Sequence, residues 1–344
     1  MKSISNYFAT AVEMNASDLH LVGGSLPYVR QQGELIELDK KPLSSKELET
    51  QIYSLLSTDQ KKRLIDEREL DMGYEQKGSR FRVNVHWQEE SIGLAARLIP
   101  QTIPSTEALQ FEEVLQELPH LLDGLVLVVG PTGHGKSTTL ASMIDQINKT
   151  RKAHIVTIED PIEFLFQEDK SLIEQREVGS DTQSFANALK HVLRQDPDVI
   201  LVGEMRDPET IATVLTAAET GHLVFSTLHT SSAAEAIERI VDVFDGAKQK
   251  QVLIQLSTVL RAVVAQQLLP AVDGTRVAAR EVLINTPAVA NLIRENNVAH
   301  IPSVIQTNAK DGMIPMDTSI KNLLKQNLIS KEIAEKRMGR QRKI

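Results

Sequence analysis

One stretch of the chain has the residue types and spacing of a phosphate-binding loop. It reads GPTGHGKS at residues 130–137 and fits the pattern G-x-x-x-x-G-K-S completely. Glycines let successive backbone N–H groups point at a phosphate, and a helix that begins at Lys136 adds its positive end. Lys136 is expected to meet the β- and γ-phosphates, and the Ser137 hydroxyl to bind Mg²⁺. The predicted contacts to ATP and Mg²⁺ are Gly130, Pro131, Thr132, Gly133, His134, Gly135, Lys136, Ser137 and Thr138.

A carboxylate at the end of an apolar run is the second candidate. Residues 199–202 read VILV, and Glu204 follows after one glycine. Hydrolysis of a nucleoside triphosphate needs a group beside the metal that orients and deprotonates the attacking water. We expect Glu204 to have this role, because the end of a strand places it at the edge of a sheet.

Three more acidic side chains, Glu159, Asp160 and Glu163, directly follow the apolar run at residues 155–158. One or more of them holds Mg²⁺ through water, or the segment is a capped and solvated turn. The residues alone do not decide between these readings. The same indirect contact to the metal is open to Glu204 as well as to Glu163.

Two histidines bracket the apolar run at residues 223–228. His229 follows the run, where it is expected to touch a γ-phosphate or its water. His222 precedes the run and comes directly after Gly221, at the end of a helical pattern. A cap on that helix therefore fits His222 as well as a functional role does.

The elements that must position these side chains form a regular series. Short apolar runs at 125–129, 155–158, 199–202 and 223–228 alternate with helical patterns. This alternation is typical of a parallel sheet with helices on both faces, which is an α/β fold.

Helix boundaries can also be predicted in this half of the chain. Asp207 before Pro208 is expected to cap one helix, and Ser232 with Glu235 to form a capping box for the next. A longer helix is predicted to carry the apolar residues Val252, Leu256, Val259, Leu260 and Val263 on one side. Three short helical patterns follow residue 287.

The first hundred residues have a different pattern. Alternating segments at 80–85 and 93–99 predict β-strands, and prolines at 100 and 104 interrupt regular structure. We therefore predict an N-terminal domain at residues 1–99, a linker at 100–116, and a nucleotide-binding domain at 117–344. A small helical appendix is expected from about residue 285.

Composition limits the class of protein. The 344 residues include no cysteine, which excludes disulfides and thiolate zinc sites. A net charge of −8 and an aromatic content of 4% argue against a nucleic-acid motor, which needs a basic groove with stacking rings. The sequence has neither a signal peptide nor a run long enough to span a bilayer, so we expect a cytoplasmic protein without an integral membrane segment.

Four motifs in order resemble those of the secretion-superfamily ATPases. They are GPTGHGKSTT at 130–139, TIEDPIEF at 157–164, LVGEMRD at 201–207 and AAETGHLVFSTLHT at 217–230, similar to the Walker A, Asp box, Walker B and His box. Within that superfamily the resemblance is strongest to the retraction ATPases of type IV pili, the PilT family. It extends over nearly the whole chain.

The resemblance implies a PAS-like α+β domain followed by a RecA-like ATPase domain, assembled as a homohexamer that hydrolyses ATP. The hexamer would act on an inner-membrane pilus platform protein, from a peripheral position at the inner face of the cytoplasmic membrane. The implied catalytic residues are Glu204, Glu163, His229 and His222, with Arg82 and Arg97 as arginine fingers and Arg80 as a weaker candidate.

Two departures from the family pattern accompany the resemblance. His134 occupies a position where the family usually has serine; since the backbone N–H acts there, we expect nucleotide binding to survive. Ala290 replaces the first arginine of a C-terminal motif, which bears on coupling to retraction rather than on hydrolysis.

Two other functions remain as alternatives. A motor for pilus assembly or type II secretion would carry a larger N-terminal region and a four-cysteine zinc motif. A regulatory module that binds ATP without turnover would not need Glu204 and the two histidines.

Overall fold

The computed structural model describes residues 2–31, 33–100 and 102–340. The chain divides into two compact units. The first comprises Met1–Thr102 and Pro161–Leu165, and the second comprises Ile103–Asp160 and Phe166–Ile344. The segment that carries Glu163 therefore belongs to the first unit, while Glu159 and Asp160 belong to the second.

The first unit is an antiparallel sheet with three helices. Its strands are β1 Asp18–Val22, β2 Tyr28–Gln31, β3 Glu34–Glu37, β4 Glu69–Gln76, β5 Ser79–Gln88 and β6 Ser91–Leu98. They lie in the order β3-β2-β1-β6-β5-β4. The helices are α1 Ile4–Glu13, α2 Ser45–Leu55 and α3 Thr58–Glu67.

Alternation along β5 shows how this sheet is built. Phe81, Val83 and Val85 are buried in the core of the unit, whereas Arg82 between them is exposed. Side chains of a strand alternate between the two faces, so one face packs on the helices and the other is polar. The predicted strands and the α+β class of this domain are confirmed.

The second unit contains seven strands and ten α-helices among the residues that the structure describes. The strands are β7 Gly124–Val129, β8 His154–Glu159, β9 Leu172–Glu177, β10 Val199–Val202, β11 Leu223–Leu228, β12 Leu260–Pro270 and β13 Arg276–Ile284. The helices are α4 Glu113–Glu117, α5 Lys136–Thr150, α6 Phe185–Val192, α7 Pro208–Glu219, α8 Ala233–Asp242, α9 Gly246–Val259, α10 Pro287–Arg294, α11 Ile301–Thr307, α12 Met316–Lys325 and α13 Lys331–Arg340. Short 3₁₀ turns lie at Leu118–His120, Val298–His300 and Ala309–Asp311.

The sheet of this unit has the order β13-β12-β7-β11-β10-β8-β9. All neighbouring pairs are parallel except β12 with β13. Along β7, Leu125 and Leu127 belong to one hydrophobic core and Val126 and Val128 to the other, because helices cover both faces. The predicted parallel α/β sheet is confirmed, with its four apolar runs as β7, β8, β10 and β11.

The sequence prediction was wrong for the last third of the sheet. The helix expected to reach Val263 ends at Val259, and Leu260 begins β12. Apart from Arg261, residues 260–265 are apolar, so a helical and a strand pattern fit them equally well. After residue 287 the described part of the chain has four α-helices rather than three.

The two residues predicted to cap helices, Asp207 and Ser232, do so. Asp207 caps α7 by accepting the backbone N–H of Thr210 at 2.8 Å. Ser232 caps α8 by accepting the N–H of Glu235, but the Glu235 carboxylate returns to Ser231 rather than to the cap residue. Across the described ranges, no helix has both the length and the apolar character needed to cross a bilayer.

Candidate active site

The candidate residues of the second unit meet at one edge of its sheet. The phosphate-binding loop follows β7, His229 follows β11, Glu204 follows β10, and Glu159 ends β8. These four strands are adjacent and parallel in the sheet. Their carboxyl ends therefore share an edge, which is where open α/β sheets bind ligands.

Three glycines with positive φ angles shape the loop. Gly130, Gly133 and Gly135 have φ angles of 151°, 77° and 78°, which side chains with a Cβ rarely adopt. A Cβ on Gly130 would also lie 2.4 Å from the backbone oxygen of Gln266 on β12. The loop therefore needs glycine at 130 for two separate reasons.

Lys136 lies at the N-terminus of α5 and turns its ammonium group into the loop. Its Nζ donates to the backbone oxygens of Gly130 at 2.8 Å and Pro131 at 3.1 Å. Only 7% of the residue is exposed. A nearly buried cation, a helix N-terminus and a glycine loop form a cradle that fits the phosphates of a nucleotide. Ser137 and Thr138 lie half-buried in the same helical turn.

Backbone contacts on both sides hold Glu204 in place. The N–H of Gly203 donates to the oxygen of Ile158 on β8 at 2.8 Å. The oxygen of Gly203 accepts the Thr227 hydroxyl of β11 at 2.6 Å. The Glu204 carboxylate accepts the Nε of Arg206 at 2.7 Å, and this side chain is 15% exposed. The contact with Arg206 fixes the direction in which the Glu204 carboxylate points.

His229 lies between the loop lysine and Glu204. Its Nδ1 is 3.5 Å from Nζ of Lys136 and 3.3 Å from the Thr132 hydroxyl, and its Nε2 is 3.4 Å from Oε2 of Glu204. An ammonium group only donates and a carboxylate only accepts. The contacts therefore fit a neutral imidazole that accepts at Nδ1 and donates at Nε2.

His134 does more than lend its backbone to the loop. Its ring Nδ1 accepts the backbone N–H of Leu268 on β12 at 3.0 Å. Burial lowers the pKa of His134, and the cations Arg337, Lys136 and Arg276 lower it further. The ring is therefore held as a neutral acceptor that fastens the loop to the neighbouring strand.

The three carboxylates after β8 occupy different environments. Glu159 is 8% exposed and accepts the Thr157 hydroxyl at 2.7 Å. Asp160 and Glu163 are exposed, and Glu163 lies in the first unit. Within the described ranges, no group of three or more His, Asp or Glu residues is arranged to hold a metal. A Mg²⁺ ion would instead depend on the Ser137 hydroxyl and on the nucleotide.

The structure does not bring His222 to this edge. His222 precedes β11, and its backbone oxygen accepts the N–H of Gly124 at the start of β7. Six residues of strand separate it from His229, roughly 20 Å. Its Nδ1 lies 2.9 Å from the oxygen of Ala217, so the ring caps the end of α7.

Arg82 and Arg97 lie side by side in the first unit. They are directly opposite each other on β5 and β6, on the face away from the core. Arg97 donates to Asp18 on β1 at 2.9 Å, and 71% of its side chain is exposed. Like charges opposite each other on a sheet destabilise it, which is a reason to look for an anion that both arginines contact.

Sequence reasoning assigned no role to Arg206 or to two polar residues of the last strands. Arg206 stands within LVGEMRD, and only its contact with Glu204 reveals its part. Gln266 and Arg280 are 2% exposed in β12 and β13. The available signal was a glutamine and an arginine among the apolar residues of these segments, and it was missed because the two strands were not predicted.

Three features define a P-loop ATPase. They are the parallel sheet, the glycine loop with Lys136 after β7, and the carboxylate of Glu204 after β10, which is the second neighbour of β7 in the sheet. The family model described as "Type II/IV secretion system protein" matches residues 1–296. The chain belongs to this family, which confirms the predicted secretion-ATPase superfamily.

Two similar relatives and one solved structure carry names from pilus retraction and twitching motility. The chain is 47% identical over 335 residues to "Type IV pilus retractation ATPase PilT" of Pseudomonas aeruginosa, covering 97% of each chain. It is 49% identical over 313 residues to "Twitching motility protein" of Neisseria gonorrhoeae, covering 90% of this chain and 84% of that protein. A crystal structure of the pilus retraction motor PilT with bound ADP superposes with a TM-score of 0.90 at 46% identity, covering 98% of this chain and 97% of that one.

Proposed function

We propose that the chain is an ATP-driven motor that shortens type IV pili. The observation that supports it best is the line of contacts from Lys136 through His229 to Glu204. It joins the cation for the phosphates to a carboxylate suited to activate water. Two relatives are named for pilus retraction and for twitching motility, and the match covers 97% and 84% of their lengths. These names support the direction of work.

The residues divide the chemistry between them. Lys136 and the N–H groups of the loop hold the phosphates, and Glu204 accepts a proton from the attacking water. His229 donates to Glu204 on one side and Arg206 donates to it on the other, and together they orient the carboxylate. A bound Mg²⁺ would supply positive charge next to the phosphates. We propose Ser137 as its ligand, with Glu163 or Glu204 reaching it through water.

The assembled form is proposed to be a homohexamer. In it, Arg82 and Arg97 would act as arginine fingers that stabilise charge on the γ-phosphoryl oxygens. Hydrolysis would change the shape of the ring against a platform protein at the inner face of the cytoplasmic membrane, and pilins would leave the filament base. His222 is proposed to contribute as a helix cap.

A clean deletion in the organism that encodes the chain tests the direction of work. Filaments should still grow but fail to shorten, so cells should carry abundant surface pili and lose twitching movement. Cells without pili would show that the motor builds filaments, as the alternative assembly function requires. Restoring the wild-type gene is the control.

A further inference from the structure

A buried glutamine and a buried arginine face each other beside the nucleotide loop. Gln266 on β12 and Arg280 on β13 are cross-strand partners, and each is only 2% exposed. Nε of Arg280 donates to Oε1 of Gln266 at 3.0 Å. A buried guanidinium is costly unless acceptors surround it, so its further contacts are informative.

On one side, Gln266 holds two parts of the nucleotide site. Its Nε2 donates to the backbone oxygen of His134 at 2.8 Å, which fixes the loop. Its Oε1 also accepts the Thr139 hydroxyl at 2.8 Å, which fixes the first turn of α5. One side chain thus sets the position of the loop relative to the helix that completes the phosphate cradle.

On the other side, Arg280 holds a short segment before α4. Its Nη2 donates to the oxygen of Leu109 at 3.0 Å, and its Nη1 donates to the oxygen of Gln110 at 3.3 Å and to the Glu112 carboxylate at 3.0 Å. The guanidinium also lies 5.1 Å from the ring centre of Phe111. Four consecutive residues therefore contact one side chain.

This segment has a strained backbone. Gln110 has a φ angle of 50°, in the left-handed region that non-glycine residues rarely adopt. Such a conformation is strained and persists only where neighbouring contacts determine it. The backbone N–H groups of Gln110 and Phe111 donate to the oxygens of Glu107 and Thr106, and the oxygens of Leu109 and Gln110 accept from Arg280. Arg280 therefore joins these local hydrogen bonds in maintaining the conformation.

We propose that Gln266 and Arg280 are positioning residues that couple nucleotide binding at the loop to the conformation of residues 109–112. Phosphate in the cradle fixes the loop at His134 and the first turn of α5 at Thr139. Gln266 holds both and shares its Oε1 with Arg280, which holds the segment. The second unit begins at Ile103, so the nucleotide state would reach the chain close to where the two units connect.

Coupling of this kind is reciprocal. If nucleotide binding favours the ordered conformation of residues 109–112 by some factor, that conformation must strengthen nucleotide binding by the same factor. Loss of the Arg280 contact at the segment should therefore weaken nucleotide binding. The proposal rests on the nucleotide site, but not on the direction in which the motor moves filaments.

The test uses the full chain, ADP as the probe, and hydrogen–deuterium exchange. The amides of Leu109 and Phe111 donate to the oxygens of Ser105 and Thr106, so exchange reports on the segment. In the wild type, ADP should slow exchange there. In Glu112→Gln, the contact with Arg280 loses its charge assistance, so the response of the segment should weaken and ADP should bind at least about fivefold more weakly. The exposed neighbour Glu113 provides the control, and Glu113→Gln should behave as the wild type.

A second pair of variants tests the coupling from the nucleotide side. Thr139→Val removes the hydroxyl that Gln266 accepts and should abolish the response of residues 109–112, whereas Thr139→Ser keeps the hydroxyl and should retain it. A purely structural role would lower thermal stability without removing the response to ADP. Binding of ADP with no response of the segment in the wild type, or an unchanged response and affinity in Glu112→Gln, would overturn the coupling alone. A wild-type chain that does not bind ADP would overturn the nucleotide site and the coupling together.

Discussion

At the nucleotide site, one imidazole joins the cation for the phosphates to the carboxylate for the water. His229 lies within 3.5 Å of both Lys136 and Glu204. Since Lys136 contacts the loop and Glu204 contacts Arg206, the two ends of this line have different tasks. Binding and turnover should therefore be separable by substitution.

Lys136→Ala and Glu204→Gln should affect different measurements. Hydrogen bonds to charged groups contribute about 1.5–3 kcal/mol, so Lys136→Ala should weaken ATP binding by about 10-fold to 100-fold. Glu204→Gln should bind ATP as the wild type does and lower turnover by about 10²-fold to 10⁴-fold, the usual contribution of a general base. Equilibrium binding and steady-state ATPase assays check this.

The control for this pair is Lys149→Ala, which removes a lysine from the far end of the same helix, where it pairs with Asp145. It should leave both measurements unchanged. Equally weak ATP binding by the Lys136 and Glu204 variants would contradict the division of roles.

His134 predicts a pH dependence of stability. Its pKa is lowered in the folded chain from the ordinary value of 6.5, by burial and by Arg337, Lys136 and Arg276. Below that value the unfolded chain binds a proton that the folded chain resists. The stabilising contribution is therefore fully present above about pH 6.5 and decreases as the pH falls towards the lowered pKa.

His134→Ser removes this titration. The wild type should lose more thermal stability than the variant between about pH 7.5 and about pH 5.5. If both proteins lose the same amount of melting temperature over that pH range, His134 does not titrate in this way.

Residue types and spacing predicted that Lys136, Glu204 and His229 meet at one sheet edge, and the structure brings them together there, while their catalytic roles stay predictions. Glu204 and His229 follow strand ends where apolar runs stop, and Lys136 follows the loop after a third such run. Arg206 was not assigned, because an arginine four residues beyond a strand is equally common as a solvated charge. Its pairing with Glu204 depends on the path of the chain after the strand.

At the scale of elements, the loop depends on β12 as much as on the strand that precedes it. The backbone oxygen of Gln266 lies where a Cβ on Gly130 would have to be, and the side chain of Gln266 holds His134. Two glycines of the same loop therefore differ in their surroundings. Around Gly133 no heavy atom lies within 4 Å of the position of a Cβ.

Gly130→Ala should destabilise the protein more than Gly133→Ala. Both substitutions place a Cβ at a positive φ angle, but only the first also meets backbone at 2.4 Å. Overpacking costs typically about 1–3 kcal/mol in addition to the conformational strain. Gly130→Ala should therefore have the lower melting temperature and the weaker ADP binding, measured by thermal denaturation and titration. Equal losses in both variants would mean that β12 does not constrain the loop.

The elements were predictable where their patterns were unambiguous. Runs such as residues 199–202 are too short and too apolar for anything but a buried strand between helices. Residues 260–263 continue the apolar spacing of α9, and the helix ends at Val259 because the following chain pairs with β7 and β13. Long-range pairing of this kind leaves no local signal in the sequence.

At the scale of the whole molecule, the first unit contributes a row of charged residues on one face of its sheet. Arg30, Asp18, Arg97 and Arg82 are successive cross-strand neighbours on β2, β1, β6 and β5. Asp18 accepts from Arg97, so the row is positive at Arg82. An assembly that binds nucleotide phosphates through this row would use its arginines in turnover rather than in stability.

Arg82→Ala and Arg97→Ala should lower turnover by about 10³-fold or more, as loss of an arginine finger does. ATP affinity should change little, since the loop stays intact. Arg30→Ala, in the same row, is the matched control and should keep its activity. ATPase rates and negative-stain images of the particles in an ATP analogue check this. Full activity of a particle that remains monomeric at every concentration would rule out a ring with shared sites.

The most direct test of the motor is the shortening of labelled pili in living cells. A deletion strain would carry either the wild-type chain or Glu204→Gln, each at the same cellular level. The wild type should restore shortening, while Glu204→Gln should leave pili that grow and remain extended, because ATP binds at Lys136 without being cleaved. Pili that shorten equally fast with Glu204→Gln would contradict the account.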